Sequence, residues 1–309
     1  MIVYDGHCHV ASTELIPHGF THDVAGNVTA RLTAMGLPAE TDRIAARYAQ
    51  EMGDHLADRL IVEMDAAGVG RSVLLYPDFG LTIDGAPAPP EMAARHREII
   101  RRHPGRFWGF LGVDPRRGED GVAEFSQALD AGGIDGIKLY PPCGYSPSDR
   151  RLYPYYEICA ARRMPVFVHT GPSARRLDNR SARPVLVDCA ARDFPTVPFI
   201  LGHAGLTHVG SAAELAAARF NVYLDIGGFG STPTLPDWKT HLNRLFRLGV
   251  NHKIVFGTDW PLGRRAGGLK RLVREVVDGP VVLAGVGRRE AAMLLHENLL
   301  RVLPPHSRP

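Results

Sequence analysis

The feature that most constrains this chain is a repeating alternation. Short apolar runs recur along its 309 residues, and stretches of helical period lie between them. The runs are IVYD (2–5), RSVLLY (71–76), FWGFLGV (107–113), GIKLY (136–140), PVFVH (165–169), PFILGH (198–203), NVYLD (221–225) and KIVFGTD (253–259). They are rich in β-branched and aromatic residues and apolar on both faces. Parallel strands buried on both sides read this way. Helical patterns fall between them, among them 54–70, 90–105, 121–133, 148–163, 182–194 and 211–220, and the tail 287–303 closes the set. Several stop at Gly, the usual C-terminal signal.

Eight strands alternating with helices predict a (β/α)8 barrel, with an open doubly wound sheet as the rival. A barrel takes roughly 250 residues as one domain, so residues 1–309 are expected to form a single domain. One connection is too long for a plain loop. Residues 10–53 read as a lid or an inserted helical hairpin over the site.

Composition serves to exclude. With 45% hydrophobic residues and a net charge of +3, bulk disorder is ruled out. No run of about 18 apolar residues predicts a membrane span. The segment MIVYDGHCHV lacks the basic and apolar regions of a secretory signal. Four cysteines are too few for a disulfide framework, so a reducing cytoplasm is expected. The pI of about 8.7 comes without a basic run, which argues against a nucleic-acid partner.

The chemistry gathers at strand ends. Active sites of such barrels lie at the C-terminal ends of the strands, so residues distant in sequence meet at one mouth. His7 and His9 are two apart in an extended segment and share a face, placing two imidazoles where one metal ion can bind. Asp5 is expected on the same face as an orienting carboxylate. His169 in VFVHTG and Asp259 in FGTDWP supply third and fourth ligands. Three imidazoles and a carboxylate suit Zn²⁺, with Mn²⁺ or Fe²⁺ as alternatives. His203 in ILGHAG is the candidate acid/base, or a ligand to a second ion. Lys138 lies near the end of the fourth strand, where its point charge can bind a substrate carboxylate.

Basic residues crowd the predicted mouth: Arg175, Arg176, Arg180 and Arg183 after the fifth strand, Arg264 and Arg265 after the eighth. They point to an anionic, carboxylate-bearing small molecule. Trp260, Tyr140, Phe229 and Trp238 are candidates for an apolar wall, with Trp260, Arg175 and Arg176 the closest candidates for substrate contact. His18, His22 and Asp23 lie in the lid.

The motifs DGHCH (5–9), GIKLYPP (136–142), VFVHTG (166–171), ILGHAG (200–205) and FGTDWP (256–261) occur in one order along the chain. As a set they resemble the amidohydrolase superfamily. The likeness is to the amidohydrolase-related branch of metal-dependent TIM-barrel hydrolases and decarboxylases, which includes aminocarboxymuconate-semialdehyde decarboxylase. The resemblance implies metal ligation by His7, His9, His169 and Asp259, with His203 as acid/base or water-orienting residue. It implies one divalent ion, a two-ion site with carboxylated Lys138 being the lesser alternative. It also suggests a homodimer. The expected activity is hydrolysis of an amide, ester, lactone or cyclic imine by activated water. The alternatives are non-oxidative decarboxylation of an unsaturated or aromatic acid, and a non-catalytic ligand-binding barrel.

Overall fold

The structure, a computed structural model, describes residues 2–231, 237–262, 264, 267–277 and 287–307. Its centre is a parallel sheet of eight strands in sequential order. The strands are β1 (Val3–His9), β2 (Val69–Tyr76), β3 (Phe107–Gly112), β4 (Gly136–Leu139), β5 (Val166–His169), β6 (Phe199–Gly202), β7 (Val222–Asp225) and β8 (Ile254–Val255). The last strand is only two residues long, yet the segment after it closes the barrel onto β1. Gly6 N donates to Phe256 O at 2.8 Å, Asp259 N to His7 O at 2.8 Å and His9 N to Trp260 O at 2.9 Å. The (β/α)8 expectation holds, and the open-sheet rival falls.

The helices are α1 (His18–Ala34), α2 (Thr41–Glu51), α3 (Asp58–Ala67), α4 (Pro89–Arg102), α5 (Gly118–Asp130), α6 (Tyr153–Arg162), α7 (Asp188–Asp193), α8 (Val209–Ala218), α9 (Trp238–Arg247), α10 (Gly268–Val277), α11 (Arg288–Ala292) and α12 (Asn298–Val302). None of them is long and apolar enough to cross a membrane. Two differ from expectation. The helix expected over 182–194 is only six residues long, α7, and is preceded by 3-10 turns. Pro184 drives Arg183 into an extended conformation (φ −79°, ψ 134°) and so delays the helix. Helix α10 was not expected, because its start, Gly267–Gly268, reads as loop.

Residues 10–53 form the helical pair α1 and α2. The helices meet at a small cluster of Ala25, Ala45 and Tyr48 and share a Thr41–Thr29 hydroxyl bond of 3.1 Å. The pair is tied down at its root, where Asp54 N donates to Ala11 O at 2.8 Å and the Tyr76 hydroxyl to Leu15 O. At its flank Arg95 pairs with Glu14 at 2.6 Å.

The lower barrel is filled by Val73, Leu75, Trp108, Phe110, Phe167, Ile200 and Val255. Leu299 and Val302 of α12 and the adjoining Leu303 complete this cluster from the C-terminal segment. Trp108 Nε1 donates to Ser307 O at 2.7 Å, which pins that segment in place. The C-terminal tail thus seals the barrel at the end opposite the strand-end histidines. Leu299→Ala should lower stability by about 3 kcal/mol, through lost burial and a residual cavity. The check is a fall in urea midpoint with the denaturant slope unchanged.

Candidate active site

The ends of β1, β5, β6 and β7 and the segment after β8 meet at one mouth. His7 and His9 point to the same side of β1, their Nε2 atoms 3.2 Å apart. Asp259 Oδ1 lies 3.3 Å from His7 Nε2 and 3.2 Å from His9 Nε2. The three atoms form a nearly equilateral triangle. A zinc–nitrogen bond of 2.0–2.1 Å gives a tetrahedral edge of about 3.3–3.4 Å, so the triangle is one face of such a site. Asp259 reaches it because its amide is bonded to His7 O and its backbone is left-handed, at φ 58°.

The orienting carboxylate is Asp225, at the end of β7. Its Oδ2 accepts from His7 Nδ1 at 2.6 Å and from the His203 amide at 3.0 Å, while Oδ1 accepts from the Gly227 amide at 3.0 Å. With its Nδ1 proton given to Asp225, His7 is left with a bare Nε2 lone pair facing the triangle. A Cβ at Gly227 would overlap His7 Nδ1, and one at Gly257 would overlap Asp225 Oδ1. These two glycines make room for the pair.

A second relay fixes His169. His203 Nδ1 donates to Gly227 O at 2.8 Å, so His203 Nε2 accepts from His169 Nδ1 at 3.2 Å. His169 Nε2 then carries a lone pair, and it is buried without a hydrogen-bond partner. These protons are assigned from the partners. Burial pushes His7 and His169 well below the usual imidazole range, so both are neutral. Burial pushes Asp259 up, but the neighbouring His7, His9 and His203 outweigh it and hold the carboxyl below its usual range. Burial raises Asp225 to about 6.

Asp5 departs from expectation. The pairing shifts between Asp5 and Cys8, with Asp5 opposite Ser72 and Cys8 opposite Leu74. One extra residue breaks the alternation and turns Asp5 to the Cys8 side. There its carboxylate accepts from Cys8 Sγ at 3.1 Å, from Thr258 Oγ1 at 2.5 Å and from the amides of His7 and Thr258, both at 3.0 Å. It anchors the β1–β8 seam, and Asp225 takes the orienting place.

Above the floor of His9, His169, His203 and Asp259 lies a cavity of about 360 Å³. Tyr76, Phe79 and Tyr140 wall it, and Phe20 and Val24 of α1 with Tyr48 of α2 roof it. A larger outer groove of about 610 Å³, between α2, α3 and the start of α10, includes none of the strand-end residues.

The other expected residues are placed elsewhere. Arg176 is paired with the buried Asp23 of α1, Arg180 with Asp178 at 2.9 Å and Arg264 with Glu63 at 2.8 Å. Arg175 and Arg183 are exposed, and Arg265 lies outside the described residues. Trp260 is buried with Nε1 on Glu63 at 3.0 Å. None of these described residues lines the cavity; nor do Phe229, Trp238, His18 or His22. Of the proposed wall, only Tyr140 does. Phe20 and Phe79 carried no catalytic signal in the sequence. Asp225 did, as a carboxylate ending a strand.

Lys138 is fully buried below the mouth. Its Nζ has no hydrogen-bond partner and sits 4.3 Å from the Phe167 ring centroid, which in turn packs on His7. Burial lowers its pKa to about 7.

The amidohydrolase family profile matches residues 4–304. A comparison with curated proteins gives no sequence match. Among solved structures, the fold is similar to an uncharacterised TIM-barrel protein from Bordetella bronchiseptica, with 22% identity, 98% of each chain covered and a TM-score of 0.68. It is also similar to 5-carboxyvanillate decarboxylase from Novosphingobium aromaticivorans, complexed with manganese and a nitrobenzoic acid derivative. There the identity is 14%, coverage 97% of this chain and 95% of that one, and the TM-score 0.67. A third is a probable 2-pyrone-4,6-dicarboxylic acid hydrolase from Acinetobacter baumannii with citric acid bound, at 16% identity, 98% and 99% coverage and a TM-score of 0.62.

A buried ammonium without a partner destabilises the fold, and the sign of its pH dependence follows. The Lys138 amine binds its proton less well folded, at about 7, than unfolded, at 10.5. Its destabilisation is therefore complete below pH 7 and relieved as pH rises toward 10.5. Lys138→Met should raise the melting temperature of metal-free protein at neutral pH and below. The advantage should shrink between pH 8 and pH 10 in a thermal series.

Proposed function

The chain belongs to the amidohydrolase family, and from that footing we propose that it is a metal-dependent hydrolase acting on a small molecule at the β-strand mouth. The observation that carries this reading is the His7–His9–Asp259 triangle. His169, whose Nε2 has no hydrogen-bond partner, lines the same cavity floor. The donors fit a divalent ion: the neutral imidazoles of His7 and His169, the imidazole of His9 and one ionised carboxylate. His7, His9, His169 and Asp259 are the proposed ligands. Zn²⁺ is the first choice and Mn²⁺ the alternative, manganese also accompanying the decarboxylase of similar fold. When bound, the ion supplies a Lewis acid and an acidified water.

The chain's own residues do the rest. Asp225 keeps the His7 lone pair turned toward the triangle. Asp259 offers one oxygen to the donor set, and its other oxygen takes a proton from the attacking water and passes it to the leaving group. His203, whose Nδ1 is held by Gly227 O, exchanges a proton at Nε2 once that atom releases His169 Nδ1. The α1–α2 roof limits bulk water above the floor. The reactive group is an amide, ester, lactone or cyclic imine.

A second reading is non-oxidative decarboxylation. The Tyr140 ring stacks on His169 at 4.4 Å and 27°, a surface that suits a planar unsaturated or aromatic acid. Described rim arginines are held in ion pairs or lie exposed, so any carboxylate would be bound chiefly at the floor.

Protein purified without chelator should carry about one ion per chain. His7→Ala and Asp259→Ala should lose metal and activity together. Asp225→Asn should keep its fold while binding metal about 10–100-fold more weakly, read by chelator competition. His203→Ala should retain metal and lose about 100-fold or more in turnover. CO₂ release from turned-over acids would replace the hydrolase with the decarboxylase. A chain that takes up neither Zn²⁺ nor Mn²⁺ would sink the metal reading.

A further inference from the structure

The roof and walls of the cavity carry chemistry of their own. Phe20 comes from α1, Phe79 from the loop after β2 and Tyr140 from the end of β4. Phe20 and Phe79 stack at 4.8 Å and 29°, and Phe79 meets Tyr140 edge-on at 5.0 Å and 73°. Tyr140 then stacks on His169, so a continuous aromatic surface descends from the lid to the floor. Ile16 and Val24 of the lid segment extend it. Among the described residues no lysine or arginine lines the cavity, and Asp259 at the floor is its one carboxylate. Of the two arginines that follow the lining residues 172–174, Arg176 is turned to Asp23 on α1 and Arg175 is exposed outside the lining. The Tyr140 hydroxyl is occupied by Ser173 Oγ at 2.6 Å.

We infer that the part of the substrate remote from the strand-end donors is an uncharged apolar group of ring size, selected by Phe20, Phe79 and Tyr140. The inference rests on the reading that those donors hold a metal and so bind the reactive end. A second carboxylate at the remote end would lose water without meeting a cation among the described lining residues. A cationic tail is disfavoured as well. Phe20 and Phe79 offer their faces to each other instead of enclosing a charge, as a cation–π site requires. An apolar tail gains from burial against the same surface.

The test uses metal-loaded protein and hydroxamates, which place one chelating group at the floor and vary the tail. The probes are acetohydroxamic acid and benzohydroxamic acids bearing a 4-tert-butyl, 4-carboxy or 4-trimethylammonio group, with dissociation constants read by calorimetry. The tert-butyl probe should bind at least about tenfold more tightly than either charged one. Phe79→Ala should weaken the tert-butyl probe about tenfold while leaving metal content and acetohydroxamic acid affinity unchanged. A charged tail binding as tightly as tert-butyl overturns the proposal. So does an equal loss of acetohydroxamic acid affinity in Phe79→Ala, which would assign the ring to the floor. The series repeated on metal-stripped protein separates the two readings. A retained tert-butyl preference with no metal dependence upholds the apolar tail and overturns the metal. No binding of any probe by either form overturns the apolar tail.

Discussion

The mouth of this barrel depends on one buried carboxylate. Asp225 is fully enclosed, and burial raises its pKa to about 6. It is kept there by accepting from His7 Nδ1 and from the amides of His203 and Gly227. Those bonds join the ends of β1, β6 and β7. They also set the tautomer of His7, because a proton held on Nδ1 leaves Nε2 bare. With His7 and His169 neutral, the two buried carboxylates are poorly balanced in charge. A cation at the Nε2–Oδ1 triangle is the species whose field would compensate both Asp225 and Asp259.

The two ends of the barrel divide the work. One end is sealed by apolar side chains, Leu299, Val302 and Leu303 of the C-terminal segment meeting Trp108 and Phe110. This packing stabilises the fold and asks little of precise polar geometry. The other end holds the titratable groups and a roof of two helices anchored at a few points. Arg176 and Asp23 belong to that anchoring, joining the loop after β5 to α1. The expected basic rim is therefore largely a set of struts, and recognition inside the cavity passes to the rings of Phe20, Phe79 and Tyr140.

How much was legible in the sequence follows from the range of each interaction. The strands are local apolar runs, and all eight were found within a few residues. His7, His9, His169, His203 and Asp259 were legible because each ends such a run, and the barrel brings those ends together. Asp5 was misplaced because alternation fails at a bulge that only pairing with β2 reveals. The role of Asp225 was missed because it depends on His7, 218 residues away. Ion pairing hid the arginines in the same manner. Arg176 reads as free until α1 is folded over it. Helix α10 begins at Gly268, directly after Gly267, so its start carried no helical signal. The aromatic wall joins three segments whose rings each read, alone, as ordinary core.

Several residues at the mouth keep a positive φ without being glycine, among them the site residues His203 at φ 61° and Asp259 at φ 58°. Such conformations cost on the order of 1–3 kcal/mol each and persist only where the surroundings over-determine them. Here the surroundings are visible. The His203 amide is held by Asp225 and its ring by Gly227 O, while the Asp259 amide is held by His7 O. Each strained residue is fixed by groups that themselves belong to the site. Relaxing either backbone would withdraw its side chain from the shared cluster, so strain and polar network support each other. The geometry is thereby set before any ligand arrives, and the free energy of holding it is drawn from the folded barrel and not from binding.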